Sequence, residues 1–202
     1  MIWINKKLRS MREEEGFTLI ELMVVVLIIA ILIAIAIPTF LGARKRAQDR
    51  AAQSSARNAV TAAKAIFTDR EDYSPATDPA FAGAVDTTPA NGVPDEMDDG
   101  EPALQFVGVA GNSTDHLIVS VTSDNTAGGT KDTRFVAAVK SDSGYCWFVQ
   151  DVAGPSGVGA NGGTRWARSA LNPATCRAQD APAIGAGNDV AGGWWRKAGD
   201  AR

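Results

Sequence analysis

Sixteen consecutive apolar residues, Leu22 to Ile37, run without a single charge among them. A run of that density predicts a helix that is apolar on every side, and a chain that is neither simply soluble nor disordered. From Phe17 to Phe40 the segment, at about 1.5 Å per residue, reaches roughly 36 Å and crosses a hydrocarbon core of about 30 Å. A single transmembrane helix is therefore expected. The 202 residues leave room for one further domain with a real core, but not for two large ones.

The flanks narrow the reading. Before the run stand Lys6, Lys7, Arg9 and Arg12, then Glu13, Glu14, Glu15 and Gly16; after it stand Arg44, Lys45, Arg46 and Arg50. A cleaved secretory signal would end in a small-residue site, and the run ends instead in Pro38-Thr39-Phe40-Leu41-Gly42, so the segment is expected to stay in the mature protein. Counting Lys and Arg on the two sides gives a draw, and charge alone assigns no orientation.

Glu21 is the exception inside this segment. An ionisable group at the start of an intramembrane helix costs about 3 kcal/mol and by default marks function. The bland alternative is a capping box, because Thr18-x-x-Glu21 has the spacing in which hydroxyl and carboxylate satisfy each other's backbone amides. Capping alone does not account for three acids and a glycine ahead of an aromatic residue at this border.

With Gly16-Phe17-Thr18-Leu19-Ile20-Glu21-Leu22 leading into the apolar run, and Pro38 in place, the first 45 or so residues resemble the class III leader and N-terminal helix of type IV pilins and their pseudopilin relatives. The resemblance implies cleavage between Gly16 and Phe17 by a prepilin peptidase on the cytoplasmic face, N-methylation of Phe17, and a head outside the cytoplasm. It implies as partners membrane lipid before assembly, an inner-membrane pilus assembly platform, and further copies of the chain in a helical filament. Cleavage would free an amine at Phe17, one turn from Glu21, so the Glu21 carboxylate of one subunit could pair with the Phe17 amine of its own or a neighbouring chain. Two costly intramembrane charges would then neutralise each other and fix register.

Beyond the span, Ala52, Ala56, Ala59, Ala63 and Ile66 recur at helical spacing, with Arg50, Gln53, Arg57, Thr61 and Lys64 on other faces. The helix is expected to run to about residue 72, before Tyr73-Ser74-Pro75. Pro38 and Gly42 are its expected break: a fixed kink on one reading, local melting in the filament on the other, which the family suggests. Residues 75–103, rich in Pro, Gly and Asp, read as a long loop with little regular structure. Strand-like runs follow at 104–109, 116–122, 134–140 and 144–150, with a weaker one at 164–168, and Ser141-Asp142-Ser143-Gly144 as a hairpin turn. They predict an antiparallel meander covering the helix's apolar stripe. The organisation expected is a leader, 1–16; a long helix, 17–72, spanning to about 41; and a head, 73–202. The fold class expected is α+β, a helical spine on a small antiparallel sheet.

Outside the cytoplasm the only two cysteines, Cys146 and Cys176, have one intrachain pairing open to them, expected to stabilise the head by about 3 to 4 kcal/mol. The bridge would enclose Gly154 to Gly163, loosely resembling the disulfide-bounded region near the C-terminus of many type IV pilins.

The remaining chemistry is sparse. The acidic run Asp95 to Glu101 fails as an EF-hand, having Met97 and Phe106 where oxygen ligands belong, and reads as a solvated turn. His116 has no nucleophile motif near it, and Asn112-Ser113-Thr114 is a glycosylation triplet of a kind that arises by chance. Trp194 and Trp195 are expected to pack on the head. No metal, no cofactor and no enzyme activity is expected, since neither paired acid/base carboxylates, a phosphate-cradling glycine motif nor a triad emerges. A net charge of −3, with only Arg165, Trp166 and Arg168 as a basic aromatic cluster, does not support nucleic-acid binding. The function expected is a structural pilin subunit serving adhesion, motility or DNA uptake. The alternatives are a type II secretion pseudopilin and a minor pilin acting as a filament-borne binding module.

Overall fold

A computed structural model describes residues 16–77, 93, 95–124, 131–153 and 162–182. The leader before Gly16, Pro79, Pro89 and Pro94, most of the Gly-rich stretch and Trp194-Trp195 lie outside the described residues. The chain divides into two compact units, Met1–Arg44 and Lys45–Arg202. One helix, α1 (Leu19–Arg70), contributes to both.

In the first unit α1 is apolar and exposed along its length, from Leu22 to Ile37 and on to Leu41. Its helical backbone continues through Pro38 and Gly42 without interruption. The Thr39 hydroxyl donates to the Ile35 carbonyl at 3.2 Å, a side-chain bond in the turn where proline supplies no backbone donor.

In the second unit, α1 buries the stripe Ala52, Ala56, Ala59, Ala63 and Ile66. It stops at Arg70, where Glu71 turns left-handed at φ 53° and the Lys131 ammonium takes up the Arg70 carbonyl at 3.1 Å. A single 3-10 turn at Ser74–Ala76 follows. In the stretch expected to hold little regular structure, the acidic run read as a solvated turn is instead a helix, α2 (Asp95–Gly100), which corrects that reading. Three of its four acids, Asp95, Glu96 and Asp98, lie in the first turn, where the helix dipole favours them; Met97 is fully buried, and Gly100 approaches so near that an added Cβ would lie 3.3 Å from the Ala62 Cβ.

Five strands form one sheet in the order β1 (Gln105–Val107), β2 (Ile118–Asp124), β3 (Arg134–Lys140), β4 (Cys146–Val152) and β5 (Gly163–Arg168). All lie where the sequence places them to within two or three residues. The pairs from β2 to β5 are antiparallel, as a meander requires. The first pair is not: β1 runs parallel to β2, with Gln105 opposite Ile118. The reason is the connection, residues 108–117, which is no hairpin and returns the chain to the end from which β1 began. Along it the Ser113 hydroxyl accepts the Lys140 N–H at 2.7 Å, and the Ser113 N–H donates to the Cys176 carbonyl at 2.9 Å.

Alternation across β3 explains its composition. Phe135, Ala137 and Val139 face the α1 stripe together with Val119, Val121, Trp147, Val149 and Trp166. Val136 and Ala138 face the other way, into a second cluster with Cys146, Phe148, Ala167, Cys176 and Ala178. A strand covered on both sides reads as a continuous apolar run, here Phe135-Val136-Ala137-Ala138-Val139. Between β3 and β4 the turn closes at Gly144, whose φ of +100° suits glycine and whose missing side chain leaves room for Asn172.

Candidate assembly site

Four of the residues singled out by the sequence lie at the start of α1 or just before it. Thr18 is the residue preceding the helix, and Glu21 stands three positions on. The Thr18 hydroxyl accepts the Glu21 N–H at 3.3 Å, while the Glu21 carboxylate accepts the Thr18 N–H at 2.9 Å and its hydroxyl at 2.7 Å. That is the reciprocal geometry of a capping box. Gly16 and Phe17 precede it in exposed chain without regular structure, with Phe17 87% exposed. In this uncleaved chain the Phe17 nitrogen is a peptide amide, and among the described residues the carboxylate is engaged with Thr18 alone.

The apolar stretch behind it is long and apolar enough to cross a membrane, with a mean hydropathy of 3.3 over its best window and no burial there. Pro38 and Gly42 lie at its far end within continuous helix.

Cys146 and Cys176 form a disulfide with Cα atoms 5.5 Å apart and both residues buried. Cys146 opens β4, and Cys176 lies on the segment covering the sheet's second face. That segment is held further by the Asn112 side-chain oxygen, which accepts the Cys176 N–H at 2.6 Å, and by the Ser120 hydroxyl, which accepts the Ala178 N–H at 3.0 Å. Beside it the Arg177 guanidinium, with the Thr175 hydroxyl, holds the Asp180 carboxyl below its usual range.

Two polar anchors escaped the sequence reading. Asp49 sits one step before Ala52 on the buried stripe and accepts from the Ser141 hydroxyl at 2.8 Å, the Trp147 indole at 3.2 Å and the Ser143 hydroxyl. Its signal was an acid at a stripe position. Asp151, buried in β4, accepts from the Tyr73 phenol and the Thr164 hydroxyl, each at 2.7 Å, and pairs with the Lys64 ammonium at 2.8 Å. Its signal was an acid within an otherwise apolar strand.

The geometry at the start of α1 belongs to a recognised sequence unit. Residues 11–37 match the prokaryotic N-terminal methylation motif. With the long apolar helix, the motif fits a type IV pilin-like prepilin signal, and it supports a type IV pilin or pseudopilin family member. A prepilin signal implies processing by a prepilin peptidase, anchoring in a membrane and assembly into a pilus. A pilin-type structural family is thereby indicated. No curated protein and no solved structure matches the chain. The motif therefore characterises the start of α1, and the head rests on its own geometry.

Proposed function

We propose that this chain is the structural subunit of a type IV pilus, cut between Gly16 and Phe17, N-methylated on Phe17, and assembled through α1 into a surface filament. The observation that carries the reading is the methylation motif leading into an apolar helix with Glu21 in its first turn. Such a helix has two apolar environments open to it, lipid before assembly and the helices of other copies afterwards. Each copy places Glu21 in the same register relative to Phe17, so pairing of the carboxylate with the freed amine favours assembled chains over single ones. The Cys146–Cys176 disulfide supports a pilin over a secretion pseudopilin, since the major pseudopilins that the sequence resembles usually lack one.

The test is to shear surface filaments and measure the intact mass of this chain in them. A mass that begins at methylated Phe17, in the filaments' bulk component, is the expected result. Met1 retained on filament-associated protein would overturn the processing, and recovery only with a secretion apparatus would favour the pseudopilin.

A further inference from the structure

Charge along this chain is sorted rather than mixed. Residues 42–68 hold six Lys and Arg against one Asp, and residues 69–101 hold ten Asp and Glu against one Arg. On the second unit's part of α1, Arg46, Arg50 and Arg57 fall within roughly 40° of one another around the helix. All three are exposed, and among the described residues none meets a carboxylate. Lys64 lies on the same stripe but is neutralised by Asp151. Arg57 lies 5.3 Å above the Trp166 ring, at the mouth of an open cleft of about 290 Å³ lined also by Val60, Thr61, Lys64 and Thr164.

The acids stand on another flank. Helix α2 is seated on Ala62, roughly 140° around α1 from Arg57, and carries Asp99 exposed, with Glu101 half-exposed just beyond its end. A cationic flank and an acidic flank on different sides of one helix suit a heterologous, head-to-tail contact, the kind that generates helical filaments.

Resting on the filament reading, we infer that the Arg46–Arg50–Arg57 stripe, with the Arg57–Trp166 cleft, receives the Asp99–Glu101 flank of a second copy of this chain. A polyanion such as nucleic acid fits less well. Trp166 is buried under Arg57 and offers no open ring for stacking, and the chain's net charge of −3 repels a polyanion overall. Single exposed ion pairs are weak, but opposed patches repeated at every subunit set orientation and reject the wrong register.

The experiment is a charge swap in the full-length chain, read as sheared filament yield in cells. Arg57→Glu alone and Asp99→Lys with Glu101→Lys are each expected to lower the yield at least tenfold, and the combination to restore it to within about threefold. Arg57→Gln, which removes charge without reversing it, should fall between wild type and Arg57→Glu. Formation of the Cys146–Cys176 disulfide in every variant, checked on non-reducing peptide maps, shows that the head has folded. Wild-type filaments with reversals that change nothing, or that the combination fails to rescue, overturn this docking and leave the filament reading standing. Unchanged yield with loss of heparin-agarose retention overturns it in favour of a polyanion. A wild-type chain absent from filaments overturns the filament reading, and this docking with it.

Discussion

The phenol of Tyr73 donates a 2.7 Å hydrogen bond to the Asp151 carboxylate, and that bond ties the segment just beyond α1 to β4, a central strand of the sheet. Tyr73 is 1% exposed, with its ring against Phe67 at 4.5 Å and Phe135 at 5.7 Å between centroids. Tyr73→Phe keeps those ring contacts and strands one carboxylate oxygen, while Lys64 and Thr164 remain on the other. The expected loss is about 1 to 3 kcal/mol, read as a lower denaturation midpoint for the head.

The same bond sets a pH dependence. Burial first, and the Asp151 hydrogen bond second, push the Tyr73 phenol well above its ordinary value of 10.0. The folded chain therefore keeps a proton that the unfolded chain releases from about pH 10 upward, so stability should fall by about 1.4 kcal/mol per pH unit above that point and be unaffected below it. Tyr73→Phe should remove this slope. Denaturant midpoints between pH 9 and 11 that decline equally in wild type and variant would contradict the assignment.

For the disulfide, Cys146→Ser or Cys176→Ser should cost about 3 to 4 kcal/mol, from a loop whose ends are 30 residues apart. The loss should appear first as protease sensitivity between Ser169 and Ala181, the segment that the bridge clamps over Val136 and Phe148. Peptide mapping of exported wild-type protein should find Cys146 linked to Cys176, and free thiols there would count against the bridge.

Asp49→Ala removes the acceptor for Ser141, Ser143 and Trp147 together and should cost about 1 to 3 kcal/mol. Asp49→Asn retains one acceptor oxygen and should recover part of that. Trp147 fluorescence offers a local readout, since its indole N–H loses its acceptor in Asp49→Ala and keeps one in Asp49→Asn.

The strands were legible because their residues alternate or are apolar throughout, and the buried stripe of α1 because alanine recurs at helical spacing. What escaped was set by distant partners. Nothing near Gln105 announces that it lies opposite Ile118, since parallel pairing is decided by where residues 108–117 return the chain. Met97 looked like one apolar residue in an acidic turn until Ala62 supplied the surface that makes a helix worthwhile there. The α1 face of the sheet was foreseen and the second face was not, because its cover, Cys176 to Ala178, has no periodicity of its own. At the start of α1, motif and capping geometry were both readable locally, because Thr18 and Glu21 are three residues apart.

That proximity makes Glu21 the sharpest test of how the site works. The capping box gives its carboxylate a local role, worth about 1 kcal/mol at the helix start. Pairing with a freed Phe17 amine, as proposed, would give it a second role, worth several kcal/mol wherever that amine is buried without a partner. Glu21 lies in the first unit and the sheet in the second, so Glu21→Ala should leave the disulfide-bonded head folded and the chain inserted. Filament yield should nevertheless collapse. Glu21→Gln separates the roles, because its amide oxygen still accepts from Thr18 while the charge is gone. Loss of filaments in both variants is the expected outcome and assigns assembly to the charge. Wild-type filament yield from Gln beside none from Ala would assign it to the cap.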